Sequence, residues 1–161
     1  MVQNGFYKVK KEYIDLIQEL GGKYHDAKER PVFCCMEDTQ IKHLFWAIPT
    51  SDLSHRTPEQ ISKFAKFCSL PDRDPRWSYY FIGHTNRPAL YRISSCFPII
   101  EKYVDCSYIS QGNHLILKKQ DDIEIIRKKL ARVLFAESQR PNKFEQHITN
   151  IKRKMIAELV E

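Results

Sequence analysis

Leu44-Phe45-Trp46-Ala47-Ile48-Pro49-Thr50-Ser51-Asp52-Leu53-Ser54-His55 runs from apolar strand residues into a cluster of small hydroxyls and a histidine. Burial of the apolar half fixes the segment in a core, and the polar half then emerges at a surface. On its N-terminal side, Ile41 to Ile48 reads as a third strand, Glu37-Asp38-Thr39-Gln40 as a hairpin turn, and Pro31 to Met36 as a second strand. On its C-terminal side, Thr57-Pro58-Glu59-Gln60 announces a helix: Thr57 caps, Pro58 suits the first helical position and Gln60 completes a capping box. Ile61, Phe64, Ala65 and Cys68 would form the apolar face of that helix, which Ser69-Leu70-Pro71 ends.

Further out, Phe6 to Val9 alternates as a first strand. A helix follows, with Tyr13, Ile14, Ile17 and Leu20 on one face and Gly21-Gly22 as its stop. Lys23 to Arg30 is a charged loop. After the loop at Asp72 to Arg76, Trp77 to Ile82 reads as a fourth strand, residues 83–88 as a turn and Ala89 to Phe97 as a fifth. Tyr103 to Ile109 fits neither periodicity, and Leu115-Ile116-Leu117 reads as a last short strand. From Asp121 the pattern is helical, with Ile123, Ile126, Leu130, Val133 and Leu134 as the buried stripe. Arg140-Pro141-Asn142 breaks it, and Phe144, Ile148, Ile151, Met155 and Leu159 mark a final helix.

Strands in neighbouring pairs joined by short polar turns, with helices inserted, predict an α+β fold. The expected architecture is a compact, strongly twisted antiparallel barrel-like sheet with a C-terminal helical pair. A doubly wound sheet is disfavoured, because strand and helix do not alternate and no Gly-rich phosphate loop is present. No repeat or linker interrupts the pattern, so residues 1–161 are expected to form one domain.

The 161-residue chain carries a formal net charge of +6. That balance favours polyanionic partners, nucleic acid ahead of a membrane surface. Five cysteines include no C-x-x-C pair and lie mostly in apolar surroundings, which predicts buried reduced thiols. No metal site is expected, because no pair has ligand spacing, and no other cofactor is expected either. With no apolar run of membrane length and no signal region at Met1 to Gly5, a cytoplasmic location is expected.

Thr50, Ser51, Ser54 and His55 bring hydroxyl donors and a group able to move a proton near neutral pH within six residues. His84-Thr85-Asn86-Arg87 places a second polar cluster in a turn, where Arg offers a fork of phosphate donors. Ser94-Ser95 follow in the next strand. Basic residues gather at Lys8, Lys10 and Lys11, at Arg127, Lys128, Lys129 and Arg132, and at Lys152-Arg153-Lys154, with Lys42 in the third strand. Tyr7, Tyr79, Tyr80 and Tyr91 offer stacking surfaces for unpaired bases. Each of these features also has an ordinary structural reading as a turn, a solvated face or core. No zincin, Walker or nucleophile-elbow motif and no two-metal carboxylate cluster is present. If the chain cuts a phosphodiester, the residue types suit metal-independent RNA cleavage through the 2′-hydroxyl, with a base, an acid and donors for the phosphorane. A non-catalytic RNA-binding module is the alternative from the same residues.

Several stretches together resemble a known family. Phe6-Tyr7-Lys8-Val9 leading to Tyr13-Ile14, Pro31-Val32-Phe33, Trp46-Ala47-Ile48-Pro49-Thr50-Ser51, Ala89-Leu90-Tyr91 with Ile93, and Phe97-Pro98-Ile99 occur in the order seen in the endoribonuclease toxins of type III toxin–antitoxin systems. This is the ToxN/AbiQ group, and the CptN-like branch is most similar. The resemblance implies a core related to the MazF/Kid ribonuclease toxins. It also implies metal-independent cleavage to a 2′,3′-cyclic phosphate and action on cellular RNA. The implied partner is a small repeat-derived antitoxin RNA, held with the toxin in a closed protein–RNA hetero-oligomer. Thr50 and Ser51 match the family's catalytic pair. The lysine that follows two residues later in the ToxN pattern is Leu53 here. With that cation missing, His55 is the leading expected acid or base on its chemistry, and His84 and the lysines near the first strand are further candidates, Lys8 foremost among those lysines because its strand is shared. Tyr7, Lys10, Lys11, Lys42, Ser54, His84, Asn86, Arg87, Ser94, Lys128 and Lys129 are the expected RNA contacts.

Overall fold

The computed structural model describes residues 1–24 and 30–161, so residues 25–29 of the expected charged loop lie outside the described residues. The elements in chain order are β1 (Gly5–Val9), α1 (Lys11–Glu19), β2 (Val32–Glu37), β3 (Phe45–Asp52), α2 (Pro58–Cys68), β4 (Tyr80–His84), β5 (Pro88–Arg92), β6 (Phe97–Ile99), β7 (Val104–Ser107), β8 (Ile109–Ser110), β9 (Asn113–His114), α3 (Gln120–Gln139) and α4 (Ile148–Leu159). Short 3₁₀ turns occupy Pro75–Tyr79, Ile93–Ser95 and Glu101–Tyr103. The α+β class expected from the sequence is what the chain adopts.

β3 is the centre of the sheet. One of its edges pairs with β2 from Phe45 to Pro49. The other edge is shared: β6 takes Phe45–Ala47 and β5 takes Thr50–Asp52. Pro49 sits where one partner hands over to the next, a position that tolerates the loss of a backbone donor. The strand order is β4-β5-β3-β2-β1-β7, and all of its pairings are antiparallel. Among the described residues no pairing joins β4 to β7, so the sheet is an open path and not a closed barrel.

Several boundaries differ from the sequence reading, each for a local reason. β3 starts at Phe45, because Ile41 to Leu44 belong to a longer turn built around Asp38. The Asp38 carboxylate accepts from the backbone N–H of Gln40 and of Ile41, each at 2.9 Å, and from the Trp46 indole at 3.0 Å. Trp77 to Tyr79 is a 3₁₀ turn instead of strand: Asp74 caps it by accepting from the Arg76 N–H at 3.0 Å, and Pro75 begins it. The expected fifth strand is split by the turn at Ile93–Ser95, which carries the chain from one half of β3 to the other. Leu115 to Leu117 is not a strand; Ile116 makes only an isolated bridge to Gly5, while β8 and β9 form a small hairpin just before it. Phe144 precedes α4, which starts after the left-handed His147 (φ 60°).

The capping box at Thr57 and Gln60 forms as expected. The apolar face of α2 is only half-buried and lies on β4, with Phe64 and Phe67 edge-on to Tyr80 at 5.0 and 5.3 Å. α3 buries Ile123, Ile126, Leu130 and Val133, each worth about 1.5–3 kcal/mol on transfer from water. It packs on the Pro75–Tyr79 turn and on β2 and β4, while α4 packs on β6. Phe6, Phe33 and Tyr91 lie at the heart of the core, with Phe33 5.1 Å from Phe6 and 5.5 Å from Tyr91. Cys34, Cys35 and Cys96 are buried free thiols; burial raises all three, the Cys35 thiol to about 11. Among the described residues no helix is long and apolar enough to cross a membrane.

Candidate functional site

Thr50 and Ser51 occupy the half of β3 that β5 flanks, opposite Tyr91 and Leu90. Both side chains are buried. The Thr50 hydroxyl donates to the Pro31 carbonyl at 2.8 Å, which ties β3 to the start of β2. The Ser51 Oγ accepts from two guanidinium groups, Arg92 Nε at 2.9 Å and Arg30 Nη1 at 3.1 Å. With both lone pairs of that oxygen engaged, its own O–H remains as a donor.

Arg92 is half-buried at the end of β5. Burial lowers its pKa, and the charges of Arg56 and Arg30 lower it further against the opposing influence of Tyr80. Arg56 and Arg92 both lie over the Phe64 ring, at 5.6 and 5.5 Å. Two guanidinium groups thus meet at one hydroxyl, with a third, Arg56, beside Arg92 on the Phe64 ring, an arrangement suited to an anion.

Two cavities meet at this point. One, of about 330 Å³, is walled by Lys23, Tyr24, Arg30, Arg92, Ser95 and Gln146 together with Thr50 and Ser51. The other, of about 280 Å³, shares Arg30, Pro31, Thr50 and Ser51 and adds Lys8, Asn86, Arg87 and Tyr108. The first cavity depends on Gly22, where a Cβ would stand 2.2 Å from the Gln146 carbonyl oxygen. The close approach lets Lys23 N–H donate to the Glu145 carbonyl at 2.8 Å. Gln146, itself buried, holds the far wall by donating to the carbonyls of Ser94 and Cys96 at 2.9 and 2.7 Å.

Of the residues singled out from the sequence, Thr50, Ser51, Lys8, Asn86 and Arg87 come together around these cavities. Arg87 also pairs with Asp52 at 3.4 Å, and Asn86 donates to Ser110 at 3.2 Å. His55 is not a wall of either cavity. Its ring is 83% exposed and stands 3.9 Å from Asp52 on the outer rim. Ser54 and His84 are exposed beside the second cavity's turns, and Ser95 lines the first cavity where Ser94 does not.

Other expected contacts are placed elsewhere. Tyr7 is buried and its hydroxyl accepts from the Val2 N–H at 2.6 Å, so it presents no stacking face; Tyr91 is fully buried as well. Lys129 is interior, not on a basic outer face: it is 2% exposed, donates to the Tyr80 carbonyl at 2.6 Å and lies 4.6 Å from the Trp77 ring. Lys128 pairs with Asp72 at 3.3 Å. Lys10 donates to the Lys102 carbonyl at 2.8 Å, and Lys11 and Lys42 are exposed away from both cavities.

Leu53, the position where the resemblance led to the expectation of a lysine, is buried, and its N–H donates to the Pro88 carbonyl at 2.9 Å. A cation there would be desolvated. Positive charge reaches Ser51 from Arg30 and Arg92 instead, neither of which the sequence reading selected. Arg92 did carry a signal, being a charge set between Tyr91 and Ile93 in an apolar strand.

Among the described residues the fold is of the α+β class, a central antiparallel sheet carrying four α-helices. Its overall course is similar to that of AbiQ, a lactococcal anti-phage endoribonuclease belonging to the type III toxin–antitoxin system. The TM-score is 0.60 at 11% sequence identity, over 99% of this chain and 100% of AbiQ. Neither a protein-family profile nor a curated protein matches the sequence.

Proposed function

We propose that the chain is an endoribonuclease toxin of a type III toxin–antitoxin system, acting as one domain over residues 1–161. The observation that carries this reading is the Ser51 hydroxyl held between Arg30 and Arg92 at the junction of two cavities. The AbiQ-like fold and the basic balance of the chain support it. The sequence stretches quoted above support the finer placement in the CptN-like branch and the kinship with the MazF/Kid core.

In this reading the scissile phosphate sits at Ser51, with its non-bridging oxygens facing the Ser51 O–H and the two guanidinium groups. The RNA 2′-oxygen attacks the adjacent phosphorus and loses its proton to a base. The phosphorane charge is held by these donors. The bond from phosphorus to the 5′-oxygen then breaks, an acid protonates that oxygen, and the products are a 2′,3′-cyclic phosphate and a 5′-hydroxyl. No metal ion takes part. Thr50 acts as a positioning residue, because its hydroxyl is spent on Pro31. Lys8 shares a wall with Ser51 and takes the proton-transfer role that the missing lysine leaves open; His55, carried by Asp52 on the rim, is the competing assignment. The activity is held in check by a small repeat-derived antitoxin RNA, bound with the toxin in a closed hetero-oligomer.

Incubating the purified chain with mixed-sequence single-stranded RNA in EDTA tests the reading. The expected result is discrete fragments with cyclic-phosphate 3′ ends, absent with Ser51→Ala. RNA that is bound and remains intact at micromolar protein overturns the catalytic reading and leaves a binding module.

A further inference from the structure

A cavity of about 630 Å³ lies between the 3₁₀ turn at Pro75–Tyr79 and the outer face of α3. Its walls include Arg73, Tyr79, Arg132, Phe135, Arg140 and Lys143, and no acidic side chain among the described residues. Of the acids near it, Asp72 pairs with Lys128 at 3.3 Å and Asp74 with Arg76 at 2.9 Å, while Glu145 belongs to the wall of the first Ser51 cavity. Arg73, Arg140 and Lys143 are exposed and make no ion pair among the described residues. Phe135 stands beside them with 65% of its surface open to solvent, an unusual place for a phenyl ring on a helix otherwise buried through its apolar stripe.

One short stretch of chain links the walls of this cavity to those of the Ser51 site. Lys143 lines it, while Glu145 and Gln146 line the first Ser51 cavity. Phe144 between them packs edge-on against Tyr79 at 6.0 Å. Three residues of backbone span at most about 11 Å, a distance that a few nucleotides cross. Cations thus line all three cavities, Lys8 and Arg87, Arg30 and Arg92 at Ser51, and Lys143, Arg140 and Arg73 beyond, with Asp52 and Glu145 the acids among the two Ser51 cavities.

We propose that this cavity is a second RNA site, which holds the single-stranded segment flanking the nucleotide at Ser51. Its exposed cations take the backbone phosphates, and Phe135 stacks an unpaired base. A net positive lining with no counter-charge selects a polyanion. An open ring selects unpaired bases over a duplex, whose bases are already stacked. The proposal deepens the ribonuclease reading by giving the substrate a minimum length: short RNA reaches Ser51 alone, and longer RNA gains the outer site.

Binding of fluorescent 2′-O-methyl RNA, which lacks the attacking hydroxyl and stays intact, tests this in the full chain. A 5-mer and a 20-mer of mixed sequence are titrated against wild type, the triple variant Arg73→Gln/Arg140→Gln/Lys143→Gln, and Phe135→Ala. For the 20-mer, the triple variant is expected to weaken Kd about 10- to 100-fold. The slope of log K against log salt should fall by about 2, at ~0.7 per cation removed from a single strand. Phe135→Ala is expected to weaken the 20-mer about tenfold. The 5-mer should change less than about twofold in both. Unaltered affinity and salt slope for the 20-mer in the triple variant overturn the outer site while leaving cleavage at Ser51 untouched. Retained length-dependent binding by a wild-type chain that cuts no unmodified RNA overturns the ribonuclease reading and leaves the outer site standing. A wild-type chain that binds neither RNA overturns both.

Discussion

Arg92 Nε reaches Ser51 Oγ at 2.9 Å across the β5–β3 pairing, so a side-chain hydrogen bond between two neighbouring strands fixes one side of the anion site. Its consequence for catalysis is direct. Ser51→Ala should lower RNA cleavage by at least about 100-fold, the usual cost of one donor to a developing oxyanion. Arg92→Lys should fall nearly as far, because a lysine cannot supply the Nε–H of a fixed fork. Both variants should keep the wild-type circular dichroism spectrum, and single-turnover cleavage rates are the measurement.

Lys8 and His55 can be separated by the same assay. Lys8→Met should reduce the cleavage rate by about 100-fold or more, within the range for a general acid or base. His55→Ala should change it less than about tenfold, since its exposed ring lies outside both cavities. The opposite ranking transfers the proton-transfer role to His55.

Lys129 is expected to behave as a structural residue. Its pKa is lowered by burial, with Cys68 opposing. Lys129→Met removes the strong donor to the Tyr80 carbonyl, leaving it the weak Cys68 Sγ–H at 3.4 Å, and should cost about 1–3 kcal/mol in urea unfolding. RNA affinity per folded molecule should stay within about twofold of wild type. A drop in affinity without a change in stability would return Lys129 to the RNA-binding surface.

Asp38 gives the fold an acid-sensitive hinge between the β2–β3 turn and α4. Burial raises its carboxyl, but the Gln40 N–H, the Trp46 indole, the Ile41 N–H and Lys152 outweigh it, and the net value lies below 3.8. A carboxyl held lower in the folded than in the unfolded state stabilises above about pH 3.8, and that contribution disappears as pH falls through the folded value. Asp38→Asn should therefore unfold at lower urea than wild type at pH 7, and the gap between the two should narrow at pH 3.

Much of this was legible in the sequence because it is local. The capping box at Thr57, the glycine stop after α1 and the buried stripe of α3 follow from spacing alone. Thr50 and Ser51 stood out as hydroxyls at the end of an apolar strand. What spacing does not carry is partnership across the sheet. Arg30 and Arg92 lie 21 and 41 residues from Ser51, and only the pairing of β3 with β5 brings Arg92 to it. Lys129 shows the converse: a run of basic residues on a helix does not tell which one turns inward, and here an aromatic box of Trp77 and Phe81 receives it. The split of the fifth strand was equally hidden, since Ile93–Ser95 must turn only because β3 offers two half-length docking edges.

The hand-over at Pro49 bears on how the molecule opens. β6 and β2 brace the first half of β3, while the second half relies on the β4–β5 hairpin and the half-buried α2 that leans on it. Within that outer unit α2 and β4 bury no side chain fully, whereas β5 anchors Leu90 and Tyr91 in the core, so α2 and β4 are the part most able to detach in a sub-global excursion. Detachment would strip the Phe64 ring and Arg56 from Arg92 while leaving the Phe6–Phe33–Tyr91 centre packed. The outer support of the anion site therefore has a lifetime of its own, shorter than that of the fold. Native-state hydrogen exchange should record it as amides of Ala65 to Ser69 exchanging ahead of those of Phe33 to Ala47.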